Sequence, residues 1–247
     1  MSAAVVLVHG IRTSATMWRA QVEALEAAGI RAVTVDLPGH GTRLGAPFTL
    51  EACMAAIDDS VRDVDGPVLL CGLSLGGYLA LHYAGGVGRD SVDGVIAASC
   101  GTTPAGVKLA AYRALARGIR ALPDGGAGMN QFMVDRFLPP AAREDVVRGG
   151  VALDVMADSL AAAAQTAPIT AIGSIRVPLL LVNGQFDHFR LEERAYLAAA
   201  RARPGIPESW SQLLVVPGAN HMVSLVRPRE FSSILVQSAL AAGTAAW

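Results

Sequence analysis

The chain has 247 residues, 52% hydrophobic and 17% charged, enough to bury the core of one α/β domain or of a domain carrying an insertion. Its formal net charge is −1 and it holds no basic run, so neither nucleic acid nor a membrane surface is expected as a partner. Cys53, Cys71 and Cys100 are odd in number and widely spaced, which predicts no disulfide framework and no zinc site, and suits a reducing compartment.

Residues 1–4 run straight into an apolar stretch with no positively charged lead, so no cleavable leader is expected. No apolar run approaches the ~20 residues that span a bilayer, and a soluble, cytoplasmic protein is the expectation. Ala4-Val5-Val6-Leu7-Val8 reads as a strand buried on both faces of a parallel sheet, ending in His9-Gly10-Ile11-Arg12. Thr13 or Ser14 can cap the next helix, where Met17, Trp18, Val22 and Leu25 fall at helical spacing before Gly29 stops it. A second strand over 31–35 closes in the loop Asp36-Leu37-Pro38-Gly39-His40-Gly41, and a helix follows from Thr49 or Leu50 to about residue 64. Gly66-Pro67 leads into a third strand, Val68-Leu69-Leu70-Cys71, and residues 94–99 form a fourth.

From 102 to 175 the strand–helix rhythm breaks. A structureless loop of that length is implausible, so the segment is expected to be a helical cap inserted between core segments 1–101 and 176–247. Its large apolar residues include Tyr112, Met129, Phe132, Met133, Phe137 and Met156. These residues either hold the cap together or face a substrate. The rhythm resumes with a strand over 177–184, then Gln185-Phe186-Asp187-His188, a helix over 191–202, a sixth strand over 210–216, Pro217-Gly218-Ala219-Asn220-His221, and a last helix over 228–241.

Gly72-Leu73-Ser74-Leu75-Gly76 is a G-x-S-x-G match lying between a strand and a helix. That context swings a serine hydroxyl out over the strand end, with small residues where strand and helix crowd together. A serine hydroxyl becomes nucleophilic only when a histidine takes its proton and a carboxylate holds that histidine. Asp187 follows the fifth strand and His221 the sixth, giving the order Ser, Asp, His at the carboxyl edge of the sheet. Asp154 and Asp158 are rival acids, but both sit on predicted cap helices.

These pieces resemble a serine-triad enzyme of the α/β-hydrolase fold, through His9-Gly10-Ile11, the Asp36–Gly41 loop, the Ser74 turn, Asn183-Gly184-Gln185-Phe186-Asp187 and Pro217-Gly218-Ala219-Asn220-His221. The resemblance implies a mostly parallel six-stranded sheet with flanking helices, lacking the fold's usual first hairpin, as in the small methylesterase and hydroxynitrile-lyase branch. It also implies an oxyanion hole from the backbone N–H groups of Ile11 and Leu75. The expected activity is hydrolysis of an ester, lactone or thioester of a small apolar substrate, without cofactor or metal. Carbon–carbon bond hydrolysis, cofactor-free lyase chemistry and a receptor with little turnover remain alternatives. Serine in place of aspartate argues against dehalogenases and epoxide hydrolases of this fold, and Met222, where plant-type cyanohydrin lyases place lysine, weakens that branch. Arg12, Tyr112, Phe132, Met133, Phe137, Met156, His188 and Met222 are the candidate substrate contacts, with Phe189 as a further apolar neighbour. His9 and His40 are expected to brace loops, and His82 to pack.

Overall fold

The computed structural model describes residues 2–242, so Met1 and residues 243–247 of the expected core segments lie outside it. Six strands form one sheet: β1 (Ala4–Val8), β2 (Ala32–Val35), β3 (Val68–Leu73), β4 (Gly94–Ala98), β5 (Leu179–Gly184) and β6 (Ser211–Val216). Their order is β2-β1-β3-β4-β5-β6 and every neighbouring pair is parallel. The chain leaves β1 towards one edge and resumes at β3 towards the other. Ligands bind outside strand carboxyl ends at such a reversal point.

Strand alternation divides the core in two. Val6, Val8, Leu70 and Val95 face one layer of helices, while Val5, Leu7, Leu69 and Ile96 face the other. The first layer contains α2 (Leu50–Arg62), α3 (Leu75–Gly85) and, later in the chain, α9 (Glu193–Arg201). The second contains α1 (Arg19–Ala27), the single turn α10 (Val223–Val226) and α11 (Pro228–Ala242). Here Trp18 stacks on Phe231 with ring centroids 6.0 Å apart, both rings fully buried. Burying a side chain of that size contributes roughly 1.5–3 kcal/mol. The helix expected after Thr13 begins instead with a tight 3-10 turn, Ala15–Trp18. The Ser14 side chain makes no cap bond there and pairs with Thr16 Oγ1. Thr49 does cap α2, accepting from the N–H of Ala52.

Between β4 and β5 lie α4 (Gly106–Arg120), α5 (Ala127–Phe137), α6 (Pro140–Arg148), α7 (Met156–Gln165) and α8 (Pro168–Ser174). These helices do not form one body over one face. α4 and α7 pack on each other, α7 also touching α2 and α3, and α8 lies along α3. By contrast, α6 packs on the Ala15–Trp18 turn, where Asp145 accepts from Thr16 through its carbonyl and from Arg19 Nε through its carboxylate, the latter at 2.7 Å. Where the segment returns to the sheet, buried Arg203 donates to the carbonyls of Ile175, Val177 and Ala200 and to Ser211 Oγ. No helix among the described residues is long and apolar enough to cross a membrane.

Candidate active site

β3 stops at Leu73 and α3 starts at Leu75, leaving Ser74 alone to make the turn. Its backbone, φ 57° and ψ −116°, lies where side chains other than glycine are strained. The turn closes because the N–H of Ser74 donates to Ala98 O at 2.8 Å. It also needs glycine on either side: a Cβ on Gly72 would sit 2.0 Å from Gly76 O, and one on Gly76 2.2 Å from Val8 O.

The loops after β5 and β6 are joined by backbone bonds from Gln185 to Val216 and from Phe186 to Ala219. That junction brings Asp187 beside His221. Asp187 Oδ1 accepts from His221 Nδ1 at 2.9 Å, and His221 Nε2 lies 2.9 Å from Ser74 Oγ. With the Nδ1 proton committed to the carboxylate, Nε2 is free to accept the serine proton. Burial alone would raise the Asp187 carboxyl. The His221 bond and charge, the Phe189 N–H at 2.8 Å and the nearby Ser99 hydroxyl outweigh it and hold the pKa below the ordinary carboxylate value. Asp187 Oδ2 and Ser99 Oγ are both buried and make no aligned hydrogen bond.

The loop after β1 is braced from below by two histidines. His9 Nε2 accepts from the Leu37 N–H at 3.0 Å while Nδ1 donates to Gly10 O, and His40 Nε2 accepts from the Arg12 N–H at 3.3 Å. The rings lie 4.9 Å apart. Burial lowers both pKa values, that of His9 from 6.5 to about 3, so both are neutral struts. Neither the N–H of Ile11 nor that of Leu75, the first residue of α3, has an acceptor among the described residues.

Ser74 opens into a narrow cavity of about 70 Å³ walled by Ile11, Leu75, Leu109, Tyr112, Leu160 and Phe189. Tyr112 meets Phe189 edge-on at 5.5 Å, and Phe189 lies 5.0 Å from the His221 ring. Lys108, on α4 and part of the lining, is paired with Glu192. That bond, with further hydrogen bonds from Thr103, lowers the Glu192 carboxyl to about 2.

Of the eight candidate substrate contacts Tyr112 lines this cavity, as does Phe189, the further apolar neighbour expected there. Phe132, Met133 and Phe137 are 60%, 48% and 46% exposed and are absent from its wall; α5 buries Val134 in the cluster that holds Ala142 and Val146 of α6, and its Phe137 carbonyl accepts from Asn220 Nδ2 at 3.3 Å. These three candidate substrate contacts therefore do not border the Ser74 cavity. Met156 and Arg12 border a separate groove between α4 and α7. Met222 packs against the core around α11, and His188 stands exposed with its ring 5.0 Å from that of His221. The spacing missed Leu109, Leu160, Tyr78 and Ala163. The i, i+3 pairs Leu109–Tyr112 and Leu160–Ala163 were the available signal.

Ligand atoms of Asp187, His188 and His221 fall within 4.8 Å of one another, a spacing a metal ion could use and one that the sequence did not predict. Both ring nitrogens of His221 are already engaged by Asp187 and Ser74, which makes proton transfer the better-matched chemistry. All three cysteines are buried and unpaired, and burial raises their thiols, which leaves Ser74 as the candidate nucleophile at this edge.

A sequence model described as the alpha/beta hydrolase family matches residues 5–234. Among curated proteins, a phospholipase of Bacillus subtilis strain 168, YtpA, is 29% identical over 103 residues, 39% of this chain and 40% of its own. The chain thus spans less than half the length of that relative. Among solved structures, a bromoperoxidase from Bacillus anthracis superposes with a TM-score of 0.76 at 21% identity, over 96% of this chain and 91% of the other. A thermophilic esterase from Thermogutta terrifontis gives 0.73 at 24%, over 96% and 89%. An enol-lactonase from Burkholderia xenovorans LB400 gives 0.70 at 19%, over 96% and 91%. At these identities the superpositions speak to fold.

Proposed function

The chain belongs to the alpha/beta hydrolase family, and we propose that it is a serine hydrolase of carboxylic esters, lactones or thioesters that works through an acyl-enzyme. The observation that carries this reading is the unbroken hydrogen-bonded line from Ser74 Oγ through His221 to Asp187, set over a cavity. His221 takes the serine proton through Nε2 as Oγ attacks the carbonyl carbon. Asp187 fixes the tautomer and stabilises the imidazolium. The N–H groups of Ile11 and Leu75 receive the developing oxyanion, and losing such a donor costs about 10²–10³ in turnover. Collapse of the tetrahedral intermediate breaks the bond to the leaving alkoxide or thiolate, which collects the proton from His221. A water molecule then gives its proton to His221 and attacks the acyl carbon, and the second intermediate collapses by breaking the bond to Ser74 Oγ, which takes the proton back from His221 as the acid leaves.

In this reading 102–175 acts as the cap, with α4 and α7 as its roof. A cavity of about 70 Å³ suits a short acyl group, being smaller than the ~150 Å³ that admits benzene. The esterase and enol-lactonase among the structural neighbours support an ester-like bond as the target. The buried, unpaired thiols support a cytoplasmic setting.

The test is covalent. A fluorophosphonate should label the protein once, at Ser74, and hydrolysis of a short-chain nitrophenyl ester should fall by at least ~10³-fold in Ser74→Ala. An adduct mapped to Ser14 or Ser99, or turnover that survives Ser74→Ala, would sink the assignment.

A further inference from the structure

Beside the Ser74 cavity lies a much larger groove, about 920 Å³, between α4 and α7. Leu109 and Leu160 border both spaces, and Arg12, which lines the groove, directly follows Ile11 of the cavity wall. The groove is strongly one-signed. Arg12, Arg113, Arg117 and Arg120 line it, against the single carboxylate of Asp154. Asp154 is paired with Arg120, whereas Arg12, Arg113 and Arg117 have no ion-pair partner among the described residues. A protein of net charge −1 has thus gathered three uncompensated guanidinium groups on the flank of its candidate catalytic cavity.

Arg12 makes the stronger case for a ligand. Its Nε is buried and has no hydrogen-bond partner, and burial lowers the pKa of the guanidinium. A charged side chain held part-buried with no counter-ion is costly, and an anion beside it would offset that cost. Nor is the side chain there by looseness: its backbone is held at φ 63° with its N–H bonded to His40. The rest of the wall is apolar, with Ala110, Ala116, Ala157 and Ala161 leaving room beside Leu153 and Met156, and Arg113 reaches the Leu160 carbonyl at 3.5 Å. An anionic oxygen cluster would pair with the part of the Arg12 guanidinium that borders the groove and offset the charge of Arg113 and Arg117, and planar guanidinium forks match carboxylate and phosphate geometry.

We infer that this groove seats a carboxylate or phosphate group on the leaving-group side of the substrate, while the short acyl group enters the Ser74 cavity. The assignment rests on the acyl-transfer reading for the division of the substrate, but the groove's preference for an anion is separable from it. Bond-making and bond-breaking are unchanged: the anionic alcohol departs with the proton returned by His221 and leaves through the groove.

The test uses three acetyl esters of matched length: pentyl acetate, a pentanoate acetylated on its terminal hydroxyl, and butyl phosphate acetylated likewise. The wild-type enzyme should favour at least one anionic ester over pentyl acetate by about tenfold in kcat/KM, and the preference should shrink at about 0.5 M salt. The better of the two anions identifies the source. Arg113→Gln/Arg117→Gln, with both changes at exposed positions away from Ile11, should reduce the anionic-to-neutral ratio by about tenfold, mainly through KM, and Arg113→Lys/Arg117→Lys should retain more of it. An equal rate on all three esters, or a fall shared by neutral and anionic esters alike, would overturn the assignment. Calorimetric titration of Ser74→Ala with the same anionic esters gives a readout independent of turnover. If no ester is cleaved and no fluorophosphonate adduct forms, the acyl-transfer reading fails. The groove still stands if binding weakens in the double glutamine variant, and falls if binding is absent or unaffected.

Discussion

At the scale of the residue, the site depends on one strained serine and on the neighbours that leave it no alternative. A backbone at φ 57° costs on the order of 1–3 kcal/mol, which the Ala98 bond and the close packing of β3 on α3 must offset. Gly72 is where that packing is tightest. Gly72→Ala would put a methyl group 2.0 Å from Gly76 O, so α3 must shift and carry Ser74 and the N–H of Leu75 with it. We expect a stability loss of ~1–3 kcal/mol and a drop in ester turnover larger than the loss of folded protein explains. Thermal melts alongside active-site titration would show it. A variant with the wild-type melting temperature and wild-type turnover would mean that the turn is looser than its geometry implies.

At the scale of the element, the segment 102–175 divides its labour. α4 and α7 contribute Leu109, Tyr112 and Leu160 to the cavity, while α6 is anchored elsewhere by the bonds of Asp145 with Thr16 and Arg19, and α5 contributes no side chain to the wall. Substrate selection by chain length should therefore follow the first pair. Leu160→Ala deepens the cavity and should move the preferred acyl chain towards longer esters, at some cost in melting temperature because Leu160 is largely buried. Phe132→Ala and Phe137→Ala, changes at exposed positions off the wall, should leave the ranking of acyl lengths as it was. A series of nitrophenyl esters from acetate to octanoate decides between them. A ranking that shifts with Phe132 and ignores Leu160 would place the roof of the cavity on the wrong helices.

At the scale of the whole molecule, the neutral histidines couple folding to pH. His9 has its folded pKa lowered from 6.5 to about 3, and that of His40 is lowered too, both first of all by burial. Between those values the unfolded chain binds protons that the folded chain refuses. Stability should then fall as pH drops through about 6.5, by up to roughly 1.4 kcal/mol per pH unit for each proton excluded. The depressed carboxyl of Asp187 acts in the same direction lower down, its contribution being lost as pH falls through its folded pKa. Urea unfolding at pH 7.5 and pH 5 should show the wild type losing stability and His9→Gln, which cannot titrate, losing less. Equal slopes in the two proteins would mean that His9 takes up its proton in the fold and is not the neutral strut between Gly10 and Leu37.

Read alone, the sequence determined the sheet and the order of the catalytic candidates. Runs such as Val5-Val6-Leu7-Val8 and Leu179-Leu180-Leu181-Val182 are apolar on both faces, and only a strand covered on both sides satisfies them. Because all six strands are parallel, residues just past their carboxyl ends must share one edge, so Ser74, Asp187 and His221 converge without any side-chain coordinate being known. The histidine struts were legible in part, since His9 and His40 follow strands in loops that had to meet. The destination of the inserted helices was not legible. An amphipathic helix declares in its sequence that one face wants cover, but not which neighbour will supply it. Phe132, Met133 and Phe137 were therefore as apolar on paper as Leu109 and Leu160. Only long-range contacts, Asp145 with Thr16 and Arg19 for α6 and Asn220 with Phe137 for α5, distinguish these helices from α4 and α7, which line the cavity of the serine. The same holds for the basic groove: Arg12 lies about a hundred residues from Arg113 and Arg117, and only the tertiary fold sets their charges side by side.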